Sequence, residues 1–148
     1  MAKKPTPTDA DLILKLYDLR REAVMRNARR YMGGEFWPAS ADDVIALLSN
    51  PADPNNAFIR QVLGYWDMAA SLVVFGTLNE ALFVENAGEM FFYYAKIKPF
   101  LKQIRERFPT AMLNIEKVAE RTPQARRKLE AVARNVALVR EKRMGAGR

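Results

Sequence analysis

No lysine or arginine occurs between Arg60 and Lys96, although the 148-residue chain carries 24 of them. The only charges in residues 61–95 are four acids: Asp67, Glu80, Glu85 and Glu89. The same stretch holds Tyr65, Trp66, Phe75, Phe83, Phe91, Phe92, Tyr93 and Tyr94, eight of the fifteen aromatic side chains. Long cationic side chains are the hardest to bury, so a cation-free, aromatic-rich segment is expected to supply the packed centre.

The punctuation around that segment is helical. A first helix is expected from about Asp9 to Met32, opened by Thr8 and stopped by Gly33-Gly34. After the aromatic turn Glu35 to Pro38, Ser40 and Asp43 suggest a capped short helix to about Ser49, followed by a Pro/Asn loop. The central helix, from about Asn56 to Phe75, is apolar around most of its circumference, the mark of a core helix. Thr77 and Glu80 open a short helix to about Asn86. Gly88 starts a helix that Pro99 should kink before Phe108. A shorter helix spans about Ala111 to Glu120, and Thr122-Pro123 begins the last. Neither strand-like alternation nor an internal repeat is present. The expected fold is all-α, a compact bundle-like domain of six to seven helices over residues 9–143. Residues 1–8 and 144–148 are expected to be disordered.

The net charge of +7 is localised. Residues 1–120 are balanced, whereas residues 121–148 set nine cations against Glu130 and Glu141. The result is a basic final helix on a neutral body. Cys and His are absent, which removes disulfides, thiolate chemistry, imidazole-dependent triads and the usual Cys/His metal sites. Residues 1–8 have no apolar stretch behind their two lysines, unlike a signal peptide. The longest weakly polar run, Val62 to Phe75, contains Asp67 and is too short to span a bilayer. A soluble, cytoplasmic protein is expected.

Three groups of residues are candidates for chemistry or contact. Asp67 stands in the most apolar helix, in a strip with Arg60, Gly64 and Ser71 at i, i+4, i+7 and i+11. It is either a polar residue facing solvent or a close neighbour, a carboxylate ion-paired with Arg60 or Arg105, or a base with a raised pKa. Phe91 and Phe92 belong to a run of four consecutive rings that one helix face cannot absorb, so either a covering helix or a partner is needed. In the final helix, Arg126, Arg127, Lys128, Arg134 and Arg140 lie off the apolar seam. Such clustered cations are either a solvated face or a polyanion contact. No phosphate loop, calcium loop or nucleic-acid-binding motif accompanies them.

The middle of the chain resembles an uncharacterised bacterial family, domain of unknown function 4760. The resemblance rests on Arg60-Gln61-Val62-Leu63-Gly64-Tyr65-Trp66-Asp67, Val73-Val74-Phe75-Gly76, and Tyr93-Tyr94 with Lys98-Pro99-Phe100 and Arg105, over roughly Ala41 to Phe108. It implies a small helical domain and supplies no activity. Members often carry an upstream transmembrane segment, and none is expected in this chain.

The expected function is a non-catalytic interaction or regulatory module, with no catalytic residue, cofactor or metal. Its contact would be a protein partner or a second copy, through Phe91 and Phe92. The alternative is weak, sequence-independent binding of nucleic acid or another anionic surface through the basic last helix.

Overall fold

The computed structural model describes residues 3–147; the extreme ends of the two segments expected to be disordered lie outside the described residues. The chain folds as α1 (Pro7–Leu19), α2 (Ala23–Arg30), a π-helical turn (Tyr31–Glu35), α3 (Ala41–Ser49), α4 (Pro54–Val74) and α5 (Glu80–Asn86). It continues through α6 (Gly88–Ile97), a 3-10 turn (Lys98–Phe100), α7 (Leu101–Arg107), α8 (Leu113–Arg121) and α9 (Pro123–Ala146). No strand occurs among the described residues.

The element count exceeds the six or seven expected because two helices are divided. The first breaks near Arg20, where the Glu22 carboxylate accepts from the Val24 and Met25 N–H groups and starts a new helix. The second breaks at Pro99, which lacks an N–H and routes the chain from α6 through the 3-10 turn into α7. Two caps also move. Thr6, not Thr8, opens α1, in a reciprocal box with Asp9 at 2.7 Å from the Thr6 N–H. Asn79, not Thr77, opens α5 by accepting from the Leu82 N–H. Asp9 also accepts from the Asn79 N–H at 2.9 Å, fastening the start of α1 to the start of α5. Those backbone donors hold the Asp9 carboxyl below its ordinary range. Helix α1 thus begins inside the segment expected to be disordered, and α9 runs three residues into the expected tail.

The buried side chains form one continuous cluster with α4 and α6 at its centre. Helix α4 contributes Ile59, Val62, Trp66, Ala69, Ala70 and Val73 and packs against α2 and α8. Helix α6 packs against α9 and is buried from Met90 to Ile97 except at Phe92, which is half-buried. Each large apolar side chain removed from water contributes about 1.5–3 kcal/mol. The segment singled out by its lack of cations is therefore the centre of the molecule.

Candidate functional site

The aromatic run does not form a surface patch. Phe91 is 0% exposed, so it cannot meet a partner as expected. Phe92 packs edge-on against Trp37 at 5.9 Å and tilts against Tyr93 at 5.8 Å. The covering elements are α9 and the segment around the π turn.

What those rings enclose is Lys96, itself 0% exposed. Its ammonium lies 4.5 Å from the centres of both Trp37 and Phe92, with Phe36 and Tyr93 at 5.5 and 5.7 Å. It donates to the carbonyls of Met32 and Phe36, the latter at 2.7 Å. The π turn makes this geometry: the Phe36 N–H reaches back to the Tyr31 carbonyl at 3.0 Å. The Met32 carbonyl is thereby left to face Lys96. Burial, reinforced by Arg140 and Arg143, draws the Lys96 ammonium down to about 7. The two carbonyls and four rings oppose that shift by stabilising the cation.

Asp67 forms no ion pair with Arg60 or Arg105. Its carboxylate accepts from the Asn114 N–H at 3.0 Å, the Ile115 N–H at 3.1 Å and the Asn114 side-chain amide at 2.9 Å. It is a cap for α8 supplied from α4. The cap is needed because Met112, in the N-cap position, has φ 55° and makes no side-chain cap bond. Arg60 instead donates to Asn56 and to the Leu48 carbonyl at the end of α3. Arg105 pairs with Glu116 at 3.1 Å and donates to the Ala111 carbonyl. The three residues are not brought together.

The most deeply buried acid among those that pair with arginine is Glu89. It accepts from Arg29 at 2.7 Å and from the Trp66 indole at 3.1 Å, and lies 3.8 Å from Arg20. One carboxylate thus faces two guanidiniums. Arg20 stacks at 5.1 Å from both the Tyr17 and Trp66 rings, and its Nε is buried without a hydrogen-bond partner. It also lines a pocket of about 200 Å³ with Ile13, Leu14, Leu16, Tyr65 and Phe83. Burial pushes the Tyr65 hydroxyl up to about 12, and that hydroxyl donates to the Leu16 carbonyl. On the far side of the π turn a wider cleft of about 370 Å³ is lined by Glu35, Asp43 and Asp53, of which the last two already cap backbone N–H groups.

The sequence profile of a family described as a domain of unknown function, DUF4760, matches residues 5–122. The chain belongs to the DUF4760 family. No curated protein and no solved structure matches it. The DUF4760 segment takes in α1 to α8, and α9 lies beyond the matched residues.

The cations of α9 close the ends of DUF4760 helices. Lys128 donates to the Val84 and Glu85 carbonyls of α5, at 2.6 and 2.8 Å. Arg140 donates to the Lys96 carbonyl of α6 at 3.0 Å, and Arg126 to the Glu120 carbonyl of α8 at 3.1 Å. Arg143 reaches the Gly34 carbonyl and stacks at 5.4 Å from Trp37. Cations at helix C-termini meet both unpaired carbonyls and the negative end of the dipole. Of the five cations expected to face a polyanion, Arg127 and Arg134 alone are exposed with no hydrogen-bond partner among the described residues. Among the described residues no three carboxylates gather as metal ligands, and no helix is long and apolar enough to cross a membrane.

Proposed function

We propose that this chain is a non-catalytic interaction module whose contact face is built by α1, not by Phe91 and Phe92. The supporting observation is that Leu14 and Tyr17, one turn apart on α1, are 66% and 56% exposed beside the Arg20 pocket. Two large apolar side chains at the mouth of an apolar pocket are what a contact face requires. A photo-crosslinking residue at position 14 or 17 is expected to capture one discrete partner in cells. The same residue at Phe75, exposed at 82% but away from the pocket, should not. Equal yields from positions 14, 17 and 75, or none from 14 and 17, would reject this face.

A second reading is weak polyanion binding, supported by the exposed pair Arg127 and Arg134 on α9. Two phosphate contacts predict a shallow salt dependence, a slope of about −2 in log K against log salt on duplex DNA. Replacing both by Gln should abolish the slope. Binding that survives the double substitution would remove this reading.

A further inference from the structure

We propose that the pocket between α1, α4 and α5 binds a small apolar carboxylate, with Arg20 as its anion contact. The inference deepens the contact-face reading by giving that face a ligand of defined chemistry. Three observations converge on it.

The first is charge. Arg20 and Arg29 share the single carboxylate of Glu89, and Arg20 is the more distant at 3.8 Å against 2.7 Å. One positive charge is left without a close partner, on side chains that are only 13% and 32% exposed. A largely buried, incompletely paired cation is costly, and an incoming carboxylate would balance it.

The second is hydrogen bonding. Among the described residues the Arg20 guanidinium donates no hydrogen bond; its Nε is closed off by burial, and its terminal nitrogens are left to meet an anion. Guanidinium is also the group best shaped to hold a carboxylate by two parallel bonds. Asn86 also lines the pocket, and its amide uses one N–H on the Leu82 carbonyl and has a second to offer.

The third is shape. The walls are apolar and aromatic: Ile13, Leu14, Leu16, Trp66 and Phe83. The volume of about 200 Å³ is below the roughly 300–1,000 Å³ of sites for drug-sized ligands. It equals about seven water volumes, suiting a six-carbon chain or a single ring. Polar and charged metabolites without an apolar body gain nothing from such walls. Cationic amphiphiles are repelled by Arg20.

The test is a methyl-resolved NMR titration of the full chain with hexanoate, and with hexan-1-ol and hexylammonium as isosteric controls. Ligands this small bind in the millimolar range, so titrations run to about 20 mM. Hexanoate is expected to shift the Ile13 and Leu16 methyls saturably, about tenfold more tightly than hexanol, with hexylammonium silent. Arg20→Gln should erase the preference for the acid. Leu14→Glu, at an exposed rim position, should do the same by repulsion, and it decides the matter if Arg20→Gln does not fold. The proposal is overturned by equal affinity for acid and alcohol, by the absence of saturable shifts at Ile13 and Leu16, or by a preference that survives both substitutions. Crosslinking from positions 14 and 17 is read separately, so a pocket that ignores carboxylates leaves the partner-contact result standing on its own.

Discussion

Replacing Lys96 by Met tests whether its burial governs the pH dependence of stability. In the folded chain the ammonium is drawn from 10.5 to about 7. Between those values the unfolded chain holds a proton that the folded chain lacks, so stability rises with pH. At 1.36 kcal/mol per pH unit the whole window amounts to about 5 kcal/mol, of which about 2 kcal/mol falls between pH 7 and 9. Lys128, also drawn down by burial, adds to the rise. Above about pH 10 the sign reverses. Tyr65, Tyr93 and Tyr94 are all raised by burial, so the unfolded chain loses phenolic protons first and folding becomes less favourable. Urea unfolding followed by circular dichroism from pH 6 to 10 should therefore show a maximum near pH 9–10. In Lys96→Met most of the rise between pH 7 and 9 should vanish. The Met32 and Phe36 carbonyls lose their donor in that variant, at about 1–3 kcal/mol each, so its deficit is largest at high pH. A wild-type profile flat from pH 7 to 9 would refute the reasoning, because the carbonyls and rings would then be holding the cation charged. A slope unchanged in Lys96→Met would refute it equally, by assigning the titration to another group.

Three further outcomes are expected. Asp67→Ala should cost about 1–2 kcal/mol, the worth of an N-cap, while Asp67→Asn keeps part of the acceptor set and costs less; equal losses in denaturant melts would count against the capping role. Glu89→Gln leaves two guanidiniums facing a neutral amide and should cost about 3–5 kcal/mol in the same assay. A loss below 1 kcal/mol would show that Arg20 and Arg29 reach water. Phe91→Ala should lower stability by about 3–5 kcal/mol without altering the sedimentation coefficient of the folded fraction; a change of oligomeric state with stability intact would return Phe91 to a contact surface.

The core was legible because its signal is compositional and long. Trp66, Phe83 and Tyr94 lie in a stretch without cations, and burial follows directly from the cost of desolvating such groups. The same rule fails one residue past its boundary. Lys96 ends the cation-free stretch and is itself fully buried, because the π turn offers carbonyls that no periodicity announces. Gly33-Gly34 is the available clue: the helix stops there as expected, but through a widened last turn that periodicity does not announce. The partners of Asp67 were beyond reach for a similar reason. Acid and arginine invite pairing by charge, but the need of α8 for a cap arises from the left-handed Met112, visible only once the backbone is placed. The excess of cations after residue 120 is plain in the sequence, yet its use on helix ends depends on which carbonyls face α9. The Arg20 pocket has contributions from α1, α4 and α5, and no local pattern joins them.

The position of α9 has a consequence in time. It buries Ala125, Leu129 and Val136 against the rest and supplies the donors that close α5, α6 and α8. During synthesis these arrive last among the described elements. At about 5–20 residues per second, the 24 residues of α9 take roughly one to five seconds to translate. Throughout that interval the nascent chain holds Phe91 and its neighbours without their cover, so closure of the core waits for α9, and the uncovered face is open to chaperones until that helix has emerged.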